Sequence, residues 1–265
     1  MFDLATAAQA TERDLGAIIG RLDGLADADW SAPVRCRGWQ VTDLAAHLVG
    51  ASRGQSEGLR RAAEGPAAGT TGSAGLARLA PPPDRDPRSL LAALKDGQDR
   101  LLSALAEFPP AGLEGAVPLP FGLVPAAVAL QIVPLEYGFH RNDLEWALGD
   151  PVDLSPDMSA TLVAILPGLL PMLAAGSPVH GAGARPAGPV SFRLAAPSAR
   201  YLLSYAADGW SFAPDDGQAA ATCEISGDDS PVALFVMGRI SADHPSLTVS
   251  DLAAAGTFKQ CFPGP

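Results

Sequence analysis

Residues 125–149, which read PAAVALQIVPLEYGFHRNDLEWALG, decide the fold of the first half of the chain. They predict a helix over residues 125–148 that stops at Gly149. Pro134 lies inside this helix, removes a backbone donor and predicts a kink. Glu136 and His140 are four residues apart, so they project from one face with Cβ atoms about 5–6 Å apart.

Three more helices are predicted before this one from apolar residues at helical spacing. The first covers residues 4–26, the second begins at an N-cap on Thr42, and the third begins at the signal Asp86-Pro87 and ends near Phe108. A loop rich in glycine, alanine and proline, residues 64–83, separates the second from the third. Four helices joined by loops predict an antiparallel four-helix bundle.

Asp150-Pro151 is the predicted boundary, giving domains of residues 1–150 and 151–265. The second domain is predicted to be α+β, because its hydrophobic period changes to two after a helix and a Gly/Pro-rich linker. Its predicted helices cover residues 156–175, 231–237 and 252–261, and its linker covers 176–189. Its predicted strands cover residues 190–195, 201–205, 210–213, 222–226 and 247–250, with Asp208-Gly209 as a hairpin turn.

The composition of the 265 residues excludes several classes of protein. A net charge of −11 argues against binding to nucleic acid or an anionic membrane, and a hydrophobic fraction of 48% argues against disorder. Three widely spaced cysteines indicate neither a disulfide framework nor a cysteine zinc site. With neither a signal peptide nor a membrane span predicted, the expected location is the cytoplasm.

Two of the four histidines lie within predicted helices, whereas His180 and His244 lie in loops and are expected to be solvated. A helical histidine is commonly a hydrogen-bonded core residue, and His47 and His140 can be interpreted in that way. Glu136 favours another interpretation, because an unpaired carboxylate facing a bundle core is costly. Together the three side chains form a His₂Glu set with an open fourth position, the pattern of a catalytic zinc site.

Two sequence blocks resemble those of the mycothiol-dependent maleylpyruvate isomerase family. Residues 38–48, GWQVTDLAAHL, resemble the block C-x-G-W-x-V-x-D-L-x-x-H-L, with Cys36 at the cysteine position and Arg37 in place of the usual proline. Residues 136–144 resemble a second block, E-x-x-x-H-x-x-D-L. Gly227-Asp228 and Gly238-Arg239 resemble the C-terminal domain of the family, so the resemblance covers essentially the whole chain.

The resemblance implies a DinB-like four-helix bundle followed by a smaller sterol-carrier-like α+β domain. It implies a divalent metal, usually Zn²⁺, held by His47, Glu136 and His140, and mycothiol as the thiol cosubstrate. Metal coordination deprotonates a thiol and gives a nucleophile at neutral pH. In the family reaction the thiolate adds to a conjugated cis double bond, the bond rotates, and elimination leaves the trans isomer. Departure of another group would make the same chemistry an S-transfer.

Other residues have two interpretations each. Asp143 can orient a metal ligand or act as an acid or base, or it can form an ordinary salt bridge at a helix end. Arg239 can pair with a carboxylate of the thiol or substrate, or it can be a surface residue. We expect Trp39 and Trp146 to be packing anchors, and Cys36 to be a small buried apolar residue with a redox role as the alternative.

These observations predict an isomerase or S-transferase that uses a metal-activated thiol on a small electrophilic substrate. A non-catalytic protein that binds a metal or small ligand on the same fold is one alternative. A metal-dependent hydrolase or lyase that acts without thiol is another. The scarcity of lysine and abundance of alanine are typical of a GC-rich genome, which agrees with an actinobacterial, mycothiol-producing host. We expect a monomer or a homodimer.

Overall fold

The computed structural model describes residues 3–64, 84–119, 122–175 and 184–264. The chain divides after Leu154 into two compact units, four residues beyond the boundary expected from Asp150-Pro151. Most of the predicted loop at 64–83, the first part of the predicted linker at 176–189, and His180 lie outside the described residues. Within the described residues, no helix has the length and apolar character needed to cross a membrane.

The first unit contains the four long helices expected from the sequence. They are α1 (Leu4–Asp23), α2 (Val41–Ala63), α3 (Pro87–Ala106) and α4 (Ala126–Ala147). Helices α1 and α2 each pack against both α3 and α4. The observed ends differ from the predicted ones by at most three residues, and α4 continues through Pro134.

Fully buried aliphatic side chains fill the space between these helices, as their helical spacing predicts. Leu15 and Ile18 come from α1 and Leu48 from α2. Helix α3 supplies Leu90, Leu94, Leu101 and Leu105, whereas its Leu91 and Leu102 are only partly buried. The aliphatic core keeps α2 and α4 packed together, and both carry the predicted site residues.

The start of α2 differs from the prediction. The helix begins at Val41 with Gln40 at its N-cap, and the carboxylate of Asp43 accepts a hydrogen bond from the Gln40 backbone N–H at 3.1 Å. Thr42 is therefore not the cap and lies in the first turn. Its hydroxyl donates instead to the Trp30 carbonyl at 2.7 Å, which ties α2 to the short 3₁₀ helix Asp27–Ser31.

The segment between α3 and α4, expected to be a loop, contains a 3₁₀ turn and an antiparallel hairpin. The turn covers Pro110–Glu114, and the hairpin strands are β1 (Ala116–Leu119) and β2 (Gly122–Pro125). Strand β1 packs against α2. Helix α4 follows β2 directly, so the hairpin fixes where α4 begins.

The second unit is α+β, as predicted. Its helices are α5 (Pro156–Ala175), α6 (Asp229–Val236) and α7 (Leu252–Cys261). Its strands are β3 (Val190–Ala195), β4 (Arg200–Ala206), β5 (Gly209–Pro214), β6 (Cys223–Gly227) and β7 (Leu247–Val249). They form one mixed sheet in the order β5-β4-β3-β6-β7, in which only the β3–β6 pair is parallel.

Candidate metal centre

The three side chains predicted to bind a metal converge between α2 and α4. Nε2 of His47 lies 2.6 Å from Oε1 of Glu136, and Nε2 of His140 lies 3.5 Å from the same oxygen. Each of the three residues offers one ligand atom, and these three atoms all lie within 4.8 Å of one another. The cluster joins positions 89 residues apart in the chain, so packing of α2 on α4 creates it.

The cluster has a buried side and an open side. The His140 side chain is 9% exposed, whereas those of His47 and Glu136 are 32% and 25% exposed. Within the first unit, a molecule entering the cluster would therefore approach along His47 and Glu136. This accessible side is where an open coordination position would have to lie.

The charges within the cluster reinforce one another. Burial alone would raise the pKa of Glu136, but the charge of His47 and hydrogen bonds from His140 and His47 outweigh it and hold that pKa well below its usual range. Burial alone would lower the pKa of His140, but hydrogen bonds with Asp143, Cys36 and Glu136 raise it well above its usual range. The site thus favours the anionic form of the Glu136 carboxylate.

Asp143 lies behind His140, one turn further along α4. Its side chain has no solvent exposure, and its Oδ2 lies 3.0 Å from Nδ1 of His140. A carboxylate in this position accepts the Nδ1–H and leaves Nε2 directed at the other two side chains. This contact supports the interpretation that Asp143 orients the candidate metal ligand His140.

The loop before α2 covers the histidine rings. The backbone N–H of Val34 donates to the carbonyl of Trp39 at 3.0 Å, and Gly38 makes the reversal with φ of +78°. The indole of Trp39 lies 5.1 Å from the His47 ring and 6.4 Å from the His140 ring, measured between centroids. Trp39, expected only as a packing anchor, is therefore part of the wall of the site.

Cys36 is the second site residue whose surroundings the sequence did not reveal. It is half-buried, and its Sγ lies 3.5 Å from Oδ2 of Asp143. Cys36, His140 and Asp143 form a second compact group of metal-ligating atom types. Cys36 does pack against the core, as expected, but it is only partly buried and its thiol has a polar partner. The signals in the sequence were the turn-forming Gly38 and the match of Cys36 to the cysteine of the first family block.

Trp146 was also expected to be a packing anchor, but it packs at the surface and not in the core. The residue is 41% exposed near the end of α4. The guanidinium of Arg35 lies 5.3 Å from the centre of its ring, a cation–π contact. Arg35 also donates to the side-chain carbonyl of Asn142 at 2.7 Å, so Trp146 and Asn142 anchor the loop before α2 to α4.

Arg239, the other predicted catalytic and thiol-binding residue, belongs to the second unit. It follows Gly238, whose φ of +76° allows the turn after α6, and it is largely buried. Its Nη1 donates to the carbonyl of Met237 at 2.9 Å. The role of Arg239 toward a thiol or substrate stays a prediction.

The chemistry of the donor set fits a divalent metal. Two imidazole nitrogens and one carboxylate oxygen are one of the usual ligand sets of a zinc site with an open position. The Asp143 contact behind His140 matches the outer carboxylate that orients a zinc-bound histidine. Residues His47, Glu136 and His140 would hold the ion.

Fold and site together define a class of protein: a four-helix unit with a His–Glu–His cluster, followed by a smaller α+β unit. The family model described as the mycothiol maleylpyruvate isomerase N-terminal domain matches residues 12–145, just over half of the chain. The chain belongs to this family. The matched range contains all three residues of the cluster and Asp143.

Two solved structures share the fold over nearly the whole chain. One is the crystal structure of the mycothiol-dependent maleylpyruvate isomerase, with 19% sequence identity and a TM-score of 0.66. The other is a mutant of that enzyme in which alanine replaces a histidine, with 18% identity and a TM-score of 0.66. Each comparison covers 94% of this chain and 93% of the solved chain. A sequence search among curated proteins finds no match.

Proposed function

We propose that this protein is a metal- and mycothiol-dependent enzyme of the maleylpyruvate isomerase type. The single observation that carries the proposal is the convergence of His47, Glu136 and His140 within 4.8 Å. Family membership of the same residues and the shared fold support it. The substrate is a small electrophile, and the reaction is cis–trans isomerisation or S-transfer.

In this proposal His47, Glu136 and His140 hold a divalent ion, with Zn²⁺ as the expected metal. When bound, the ion supplies a Lewis acid that lowers the pKa of a coordinating thiol and makes it a nucleophile at neutral pH. The exposed edge formed by His47 and Glu136 is where the thiol enters. Asp143 keeps a proton on Nδ1 of His140, so that Nε2 presents its lone pair to the ion.

Trp39 and Arg239 have supporting roles in the proposal. Trp39 contacts both histidine rings and limits their rotation, because an aromatic side chain packed beside them leaves few other rotamers open. Arg239 offers a guanidinium that can bind a carboxylate of the thiol or substrate. The role of Arg239 can be tested separately from metal binding. The reaction rate of Arg239→Lys is measured as a function of substrate concentration, and a raised KM would indicate a lost contact with the substrate.

The test is metal analysis of the purified protein beside His47→Ala, Glu136→Ala and the control His244→Ala, with mycothiol titrated into each. We expect about one equivalent of divalent metal in the wild type and the control, and a large loss in the two site variants. We also expect mycothiol to change the spectrum of the Co²⁺-substituted protein. Wild-type protein without stoichiometric metal would contradict the proposal. Metal that mycothiol does not perturb would favour a thiol-independent hydrolase or lyase.

Product analysis separates isomerisation from S-transfer. Incubation with mycothiol and maleylpyruvate should give the trans isomer with the thiol recovered unchanged if elimination follows addition. A stable thioether that consumes mycothiol in proportion to product would indicate S-transfer. The Glu136→Ala variant should give neither product above the rate without protein.

A further inference from the structure

A chain of contacts continues outward from His140 through Asp143 to Cys36. Nδ1 of His140 lies 3.0 Å from Oδ2 of Asp143, and Sγ of Cys36 lies 3.5 Å from that same oxygen. Asp143 is fully buried and Cys36 is half-buried, so water has little access to the contact between them. The thiol is therefore placed to donate its S–H to the carboxylate that faces His140.

The surroundings of Asp143 explain why such a donor matters. A buried carboxylate is costly unless donors satisfy its oxygens. Oδ2 of Asp143 accepts from both Cys36 and His140. The position of the Cys36 thiol therefore helps to fix the orientation of the carboxylate that holds His140. A change at Cys36 should therefore shift Asp143 and, through it, the imidazole of His140.

The fold holds Cys36 at this position from two sides. Its carbonyl accepts the backbone N–H of Trp39 at 3.0 Å, and an isolated β-bridge joins Pro33 to Gln40. Next to it, Arg35 is hydrogen-bonded to Asn142, the residue before Asp143. Both partners of the Cys36–Asp143 contact thus sit on backbone that is independently anchored.

We propose that Cys36 is a positioning residue of the metal centre, which acts on His140 through Asp143 and through its own contact with the imidazole. This inference rests on the proposed function, because it takes His140 to be a metal ligand. The rival interpretation is that Cys36, His140 and Asp143 themselves hold a metal. The geometry favours positioning, since the Nδ1–Oδ2 distance of 3.0 Å is that of a hydrogen bond and Nε2 faces Glu136 at 3.5 Å.

The experiment compares Cys36→Ala and Cys36→Ser with wild type and with Cys223→Ala. Cys223 is a suitable control because it is a buried cysteine in the second unit whose Sγ contacts the Asp251 carbonyl at 3.3 Å. Zn²⁺ affinity is measured by competition with a chromophoric chelator, and the Co²⁺-loaded proteins are examined for sulfur-to-metal charge transfer. Circular dichroism verifies folding, and Cys36→Val replaces Cys36→Ala if the alanine variant does not fold.

We expect Cys36→Ala to bind Zn²⁺ about 10-fold more weakly, the lower end of the range for groups outside the ligand shell. Cys36→Ser should recover most of the loss because its hydroxyl also donates, and Cys223→Ala should match wild type. Equal affinity in all variants would overturn the inference, as would a charge-transfer band lost in Cys36→Ser, which would identify the thiol as a ligand. Absence of Zn²⁺ binding by wild type would overturn the proposed function as well, so the two failures are distinguishable.

Discussion

His140 uses both of its ring nitrogens. Nε2 faces Glu136 at 3.5 Å, and Nδ1 faces Asp143 at 3.0 Å. A neutral imidazole carries one N–H, so an acceptor at Nδ1 determines that Nε2 has the free lone pair. The direction of the buried Asp143 side chain therefore decides which atom of His140 can bind an ion.

Replacement of Asp143 by asparagine tests this dependence. Asp143→Asn keeps the shape but removes the charge, and its amide can donate to Nδ1 and stabilise the wrong tautomer of His140. We expect Zn²⁺ affinity to fall about 10- to 100-fold in titrations against a competing chelator. Asp96→Asn is the control, because Asp96 is an exposed carboxylate on α3 paired with Arg100. Unchanged affinity in Asp143→Asn would contradict the role of Asp143.

The second unit contains a lysine with unusual surroundings. Nζ of Lys259 donates to the carbonyls of Phe235 and Val236, each at 2.9 Å, and lies 5.4 Å from the centre of the Phe235 ring. Burial lowers the pKa of Lys259 from its ordinary 10.5 to about 7, and the charge of Arg239 adds to the effect. Folding therefore favours the neutral amine.

The sign of the stability change with pH follows from this shift. Between pH 7 and 10.5 the unfolded chain holds more protons on Lys259 than the folded chain, so the free energy of unfolding rises with pH in that window. Below pH 7 the folded unit carries the cost of the buried charge. We expect the difference in stability between wild type and Lys259→Met to move in favour of wild type as the pH rises above neutrality.

This difference in the free energy of unfolding is measured by urea unfolding at a series of pH values from 6 upward. The proteins compared are wild type, Lys259→Met and the control Lys95→Met. The chain has only these two lysines, so NMR of ¹³Cε-labelled lysine reports the titration directly. We expect one of the two signals, the one missing in Lys259→Met, to titrate with a midpoint of about 7. A midpoint near the ordinary lysine value would show that the amine is solvated.

The sequence identifies some site residues and not others for a physical reason. The nearness of Glu136 and His140 can be predicted from helical geometry alone, because residues four positions apart lie on the same face of a helix. The nearness of Cys36 and Trp39 depends on a turn at Gly38 and on where the loop meets α4, which arise from contacts between distant segments. Such contacts leave no periodic signal in the chain.

At the scale of elements, α2 and α3 approach each other closely where Gly97 faces Ser52. A Cβ on Gly97 would lie 2.3 Å from Oγ and 3.1 Å from Cβ of Ser52. The absence of a side chain at position 97 thus allows the helices to pack at this distance. Ser52 is fully buried, and its hydroxyl donates to the Val49 carbonyl, so it has little freedom to move.

We therefore expect Gly97→Ala to destabilise the first unit by about 1–3 kcal/mol through overpacking, despite the better helix propensity of alanine. The matched control is Gly20→Ala on the exposed side of α1, where an added Cβ meets nothing within 4 Å. That variant should gain up to about 1 kcal/mol. Urea unfolding measures both, and equal effects of the two substitutions would contradict the close approach.

Elements with a clear hydrophobic period were predicted nearly to the residue. Helices α5 and α7 and strand β3 have the predicted bounds. The hairpin of β1 and β2 was missed because each strand has four residues and contains a proline, Pro118 or Pro125, which argues against a strand. Short strands of this kind are stabilised by their surroundings, here α2, and not by their own pattern.

At the scale of the whole molecule, the metal ligands join parts of the chain that are distant in sequence. His47 and Glu136 are separated by 89 positions, and α3 and the hairpin lie between them. In the unfolded chain, a metal could bind both residues only by closing a long loop, which costs entropy. The metal therefore binds the folded state preferentially and stabilises it. The proposed site therefore has a structural consequence besides its chemistry.

Zn²⁺ should accordingly raise the stability of the unit that holds its ligands. At a free metal concentration about 100 times the dissociation constant, the gain is about 2.7 kcal/mol. Hydrogen exchange read by mass spectrometry measures it, and the slowest amides of α2 and α4 should become more protected. The variant His47→Ala should show no gain under the same conditions. If α2 and α4 keep their exchange rates while bound metal is measured in the same sample, the ion binds somewhere other than between these two helices.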